Sequence, residues 1–268
     1  MKIESLSNVG VFVGDHKKAK DFYTKKLGLK IRSSIPKWEY RELGATKGGE
    51  DASLNLWRPT REMWGEDYEE AEKSIGSVTG IGFLTTNLTA TLESFRRKKV
   101  KIEGPGPAGR AQIATVYDPD GNSLFVLEPP KPKVRRTGLL SLQMVTVASR
   151  DAARAGEFFT KSLGMRGGRS DEEGMRFYRL SASGTSLMPF TPTKEMYDNA
   201  KDYEEDLAHI GENTSIIFST RDIYRLQDAL MARGVRFSQK AEKASWGGLE
   251  AEFLDPDDNR YALIQGMA

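Results

Sequence analysis

Two histidines and no cysteine restrict the chemistry open to this chain of 268 residues. General-base work and transition-metal binding both lean on imidazole. His16 opens an expected helix just past a strand and His209 lies in a polar segment, so both read as surface histidines. The lack of cysteine removes disulfides, thiolate metal sites and cysteine nucleophiles together, and it fits a reducing cytoplasm. The candidate contact residues are those that strand alternation turns away from the helices, with Trp64 from a loop that recurs along the chain, and they are aromatic rings with a few amides: Asn8, Phe12, Trp38, Tyr40, Asn55, Trp57, Trp64 and Phe125. Flat aromatic walls with sparse amides suit a planar small molecule held by stacking and hydrogen bonds. The plainer alternative is that these rings fill a core. Asn55 beside Trp57 discriminates between the two, because an amide inside a closed core needs a partner.

The elements that position these residues repeat along the chain. KDFYTKKLGLKIR from Lys20 returns as GEFFTKSLGMRGG from Gly156, PTREMW as PTKEMY, and YDPDGN as LDPDDN, in the same order. Between the copies lies PPKPKVRR, Pro129 to Arg136, a stiff and solvated linker. Each copy divides again. A strand-like run meets a polar cap (Asp15, Asn87, Asp151 or Asp222), then an amphipathic helix, then short alternating runs such as WEYREL, ASLNLW and SLFVLE. The unit is strand, helix and about three strands. The predicted division is a first domain at 1–130 (modules 1–76 and 77–130), a linker at 131–136 and a second domain at 137–268 (modules 137–211 and 212–268). REMWGEDYEEAEKSIG and KEMYDNAKDYEEDLAHIG, which join the modules, read as solvated connectors with a short helix. The sharper reading is a flap with Trp64 or Tyr197 as its lid residue.

Bulk composition excludes several classes. With 40 basic and 38 acidic residues the net charge is +2, which argues against nucleic acid as a partner. No run approaches the roughly 18 apolar residues of a membrane helix, and the start MKIESLSNVGVFVGD has no apolar secretion signal. A cytoplasmic globular protein is expected, with a homodimer built by module swapping left open.

NVGVFVGDHKKAKDFYTKKLGL, DPDGNSLFVLE and DPDDNRYALIQ together resemble the vicinal oxygen chelate superfamily of glyoxalase I, extradiol dioxygenases and bleomycin-resistance proteins. The resemblance spans nearly the whole chain. It implies an α+β fold of four βαβββ modules, forming two glyoxalase-like domains with curled mixed sheets and helices outside. It also implies, in metal-dependent members, a divalent cation that binds two substrate oxygens. Its ligands come from the first and last strand of each module, where this chain has Asn8, Asn55, Gly80 and Phe125, then Met144, Met188, Ser215 and Ala262. None is His, Glu or Asp, and neutral amides hold such cations poorly. The expectation is therefore no metal, no cofactor and no assigned catalytic residue. The expected role is metal-independent binding of a small aromatic or amphipathic molecule. A glyoxalase-type lyase or extradiol-type dioxygenase with an atypical metal site is the first alternative, and a structural or interaction protein the second.

Overall fold

A computed structural model describes residues 2–35, 40–169, 175–197 and 199–266. Four βαβββ modules follow one another. The first holds β1 (Ser5–Phe12), α1 (His16–Asp21, continued by a π-helical turn at Phe22–Lys26), β2 (Lys30–Ile35), β3 (Tyr40–Gly44) and β4 (Ser53–Trp57). Two short helices, α2 (Arg61–Trp64) and α3 (Tyr68–Lys73), lead to the second module. That module holds β5 (Val78–Leu84), α4 (Leu88–Arg97), β6 (Lys101–Ala108), β7 (Ala111–Tyr117) and β8 (Ser123–Glu128). The third holds β9 (Ser141–Ala148), α5 (Ala152–Lys161), β10 (Arg166–Arg169), β11 (Arg176–Arg179) and β12 (Ser186–Phe190), followed by α6 (Ala200–Ala208). The fourth holds β13 (Asn213–Ser219), α7 (Ile223–Met231), β14 (Arg236–Lys243), β15 (Leu249–Leu254) and β16 (Arg260–Gln265).

Among the described residues these strands form two mixed eight-stranded sheets, so the α+β class holds. Their order is β14-β15-β16-β13-β1-β4-β3-β2 and β10-β11-β12-β9-β5-β8-β7-β6. In this order the strands of the first module stand beside those of the fourth, and those of the second beside those of the third. The reason lies in the module itself. β1 pairs in parallel with β4, and β5 with β8, which leaves the other edge of each first strand open to a strand from elsewhere. A repeat in sequence identifies the open edge but not its occupant.

Two compact units emerge, one of residues Asn8–Val145 and one of residues 2–7, 146–169 and 175–266. Inside the first, alternation along the strands separates two faces. Val9, Val11, Leu43, Leu54 and Leu56 are all 2% exposed or less, and α1 packs on β4 with Ala19, Phe22, Tyr23 and Leu27 buried. Each such side chain contributes about 1.5–3 kcal/mol by leaving water. The four expected caps are in place: Asp15, Asn87, Asp151 and Asp222 each accept backbone N–H bonds from the first turn of their helix.

The DPDG and DPDD segments do more than turn. Asp118 accepts from the backbone N of Asp120 and of Asn122 and from Tyr23 Oη at 3.0 Å. Asn122 donates to the Phe12 carbonyl at 2.8 Å and accepts from Gly76 N at 2.8 Å, so it fastens the end of β8's turn to the end of β1. In the other unit Asp255 and Asn259 repeat this on the Ala148 carbonyl and Gly211 N, with Tyr261 Oη at 3.2 Å supplying the hydroxyl. The hydroxyl thus comes from a helix in one unit and from the last strand in the other. Phe159 and Leu124 stand at the exchanged positions. Burial pushes both aspartate carboxyls up, against the hydrogen bonds they accept.

β5 and β13 carry a break in register, with Gly80 (φ 66°) and Ser215 (φ 56°) in the left-handed region. Beside each, a threonine takes over the ladder: Thr79 Oγ1 donates to the Ser123 carbonyl and Thr214 Oγ1 to that of Arg260. Among the described residues no helix is long and apolar enough to cross a membrane.

Candidate functional site

The polar face of the first module is set by register. β1 and β4 align Asn8 with Ser53, Gly10 with Asn55 and Phe12 with Trp57, and β3 places Glu42 opposite Asn55. Strand alternation then puts Tyr40, Glu42, Ser53, Asn55, Trp57, Asn8 and Phe12 on the face opposite the valines. Tyr40 begins β3. Trp38 lies outside the described residues.

Phe12, Trp57 and Trp64 form one cluster. Ring centroids are 5.7 Å apart for Phe12 and Trp57, 5.0 Å for Phe12 and Trp64, and 5.1 Å for the two tryptophans, all tilted or edge-on. Trp64 reaches them from α2, whose start Thr60 caps by accepting from Met63 N. The connector is thus two short helices with a 3-10 turn between them, not one helix. Its counterpart does not repeat the arrangement. Tyr197 donates to Asp206 Oδ2 at 2.5 Å and meets Tyr203 edge-on.

Beside the rings sits a carboxylate, Glu42, that the sequence expectations did not include, together with Tyr40 and Asn55, which they did. Glu42 accepts a short hydrogen bond from Tyr40 Oη, and Asn55 Nδ2 donates to the same phenol at 3.5 Å. Burial first, and then the Glu42 carboxylate, hold the Tyr40 phenol well above its ordinary range, so it keeps its proton and donates. Asn55 is fully buried, and among the described residues its Oδ1 has no partner, nor has Trp64 Nε1. The signal for Glu42 was present in the alternation of WEYREL. Two buried polar atoms without partners are what a ligand would satisfy.

Other sequence expectations fall differently. Phe125 belongs to the second sheet, opposite Gly82 and Thr115, and does not join the cluster. His16 is buried at 5% exposure rather than on the surface, because Arg41, on the other face of β3, donates to its Nδ1 at 2.8 Å. His209 is exposed and bonds Glu212 at 2.7 Å, which raises its pKa. Arg32 and Asp51 form a buried ion pair at 2.6 Å, and Asp51 Oδ2 also accepts from Leu142 N.

The residues present do not suit a divalent cation. None of Asn8, Asn55, Gly80, Phe125, Met144, Met188, Ser215 and Ala262 carries a carboxylate or an imidazole. The unpartnered oxygen of Asn55 is a neutral amide, and Glu42 is engaged by Tyr40. Among the described residues no three His, Cys, Asp or Glu side chains gather as a ligand set.

Comparison with known proteins adds a second line of information. The family model described as Glyoxalase/Bleomycin resistance protein/Dioxygenase superfamily matches residues 5–125 and 141–263. A probable lactoylglutathione lyase of the chloroplast of Arabidopsis thaliana is 25% identical over 95% of this chain and 71% of its own length. A lactoylglutathione lyase of Shigella flexneri is 31% identical over 43% of this chain and 86% of its own length. The crystal structure of glyoxalase I from Zea mays superposes with a TM-score of 0.66 at 17% identity, covering 97% of this chain and 92% of that one. These findings correct the expected role. Metal-independent binding of an aromatic or amphipathic molecule gives way to its alternative, because a relative matched along 95% of the chain is named as a probable lyase.

Proposed function

The chain belongs to the Glyoxalase/Bleomycin resistance protein/Dioxygenase superfamily, and from that membership we propose that it is a glyoxalase-type lyase acting on a small molecule. In this reading it interconverts a 2-hydroxyacyl thioester with a thiol and a 2-oxoaldehyde. The observation that carries the reading is the match to a lactoylglutathione lyase along 95% of the chain. The reaction is a proton shift within the adduct of thiol and aldehyde. It needs a base for a carbon-bound proton and hydrogen bonds to two vicinal oxygens. A carboxylate beside unpartnered buried polar atoms supports this chemistry.

Because the donor set does not suit a divalent cation, no step is routed through one. The cytoplasm is our reading of its location, since a free thiol substrate needs a reducing compartment. We keep residues 131–136 as the proposed boundary between the repeats. The test is to mix purified protein with methylglyoxal and glutathione, with and without added divalent cations, and follow thioester absorbance. Thioester formation above the protein-free rate is expected. No acceleration under either condition would overturn the reading.

A further inference from the structure

We propose that Glu42 is the proton-transfer base of this site, that Tyr40 positions it, and that Asn55 Oδ1 and Trp64 Nε1 bind the two vicinal oxygens of the substrate. The inference rests on the lyase reading and adds to it a residue set of which only Asn55 stands at one of the family's ligand positions.

Three observations carry it. Glu42 lies directly opposite Asn55 in the β3–β4 register, so both rise from one patch of the sheet. The Tyr40 phenol donates to the Glu42 carboxylate, which fixes that carboxylate's orientation. Asn55 Oδ1 and Trp64 Nε1 are buried without partners, one an acceptor and one a donor. Asn55 is two residues from Trp57 on the same face, and Trp64 leans on Trp57 at 5.1 Å between centroids. A substrate in this corner meets an acceptor, a donor and a carboxylate around one aromatic wall.

The chemistry balances without an oxidant. In the thiol adduct, carbon 1 bears a hydrogen, a hydroxyl and the sulfur, and carbon 2 is a ketone. Glu42 takes the carbon 1 proton, and that electron pair forms the carbon 1 to carbon 2 double bond. The ketone's π electrons move to its oxygen, where the N–H of Trp64 donates. The carbon 1 hydroxyl donates to Asn55 Oδ1. Collapse returns the proton from Glu42 to carbon 2, and the hydroxyl proton passes to the other oxygen. Carbon 1 is left as a thioester and carbon 2 as an alcohol. Carbon 1 is oxidised and carbon 2 reduced within one molecule.

The experiment compares the whole chain with E42Q, E42D, Y40F and N55L in the methylglyoxal and glutathione assay, after thermal melts confirm folding. For E42Q we expect kcat to fall at least 100-fold with KM within about threefold, and E42D to regain part of it. Y40F should lower kcat about tenfold with KM unchanged, and N55L should raise KM. If the native chain turns over and E42Q keeps kcat within threefold, the base assignment fails while the lyase reading stands. Should E42Q be unfolded, Y40F decides: native kcat in Y40F overturns the proposal. An inactive native chain defeats the lyase reading and the proposal with it.

Discussion

At Asn55, stability and the proposed substrate contact pull in opposite directions. Its side chain is fully buried with Oδ1 unpartnered, and such an atom costs about 1–3 kcal/mol. Replacing it with leucine removes that cost and matches the apolar rings beside it. We expect N55L to raise stability by about 1 kcal/mol, read as a higher urea midpoint at unchanged slope, while weakening the substrate. An unchanged or lower midpoint would mean that Oδ1 is satisfied in solution. Asn55 and Trp57 were legible in the sequence because alternation in ASLNLW places both on one face. Glu42 was not picked out, because in WEYREL the rings drew the reading to Trp38 and Tyr40 and not to the carboxylate two residues on. The burial of His16 was equally hidden, since its partner Arg41 is distant in sequence and meets it only across the fold.

At the scale of elements, local chemistry was the readable part. The helix that follows the first strand of each module starts at a short polar side chain ahead of an apolar stripe. The register breaks at Gly80 and Ser215 were not readable, because a threonine hydroxyl replacing a ladder bond leaves no periodic trace. The DPDG segment reads as a turn in sequence, and its long-range bonds appear only in the fold. Asn122 reaches the Phe12 carbonyl, Gly76 N and Asp118 at once. Removing it in N122A leaves buried backbone groups unpaired, for a loss of about 2–4 kcal/mol. N259A should cost a similar amount in the other unit, where the same bonds recur. Chemical denaturation of both variants checks this, and a loss below about 0.5 kcal/mol would show the fastening to be idle.

For the whole molecule, the sequence revealed the count of modules and the fold class, and physics explains why it could not reveal their pairing. β1 and β5 present the same kind of open edge, and nothing local distinguishes β13 from β9 as the strand that fills it. Residues 1–130 expressed alone would carry two such edges unpaired. Edges of this kind recruit other chains, so we expect that fragment to run as a dimer or larger in size-exclusion chromatography. A well-folded monomer would contradict the sheet order. The two buried hydroxyls have a consequence for the gene as well. Tyr23 serves one aspartate from a helix, and Tyr261 serves the other from a strand. Recombination between the repeats would therefore join Phe159 to Leu124, with no hydroxyl for the aspartate, or Tyr23 to Tyr261, with two competing for it. The duplicated halves are therefore no longer interchangeable piece by piece at these aspartates.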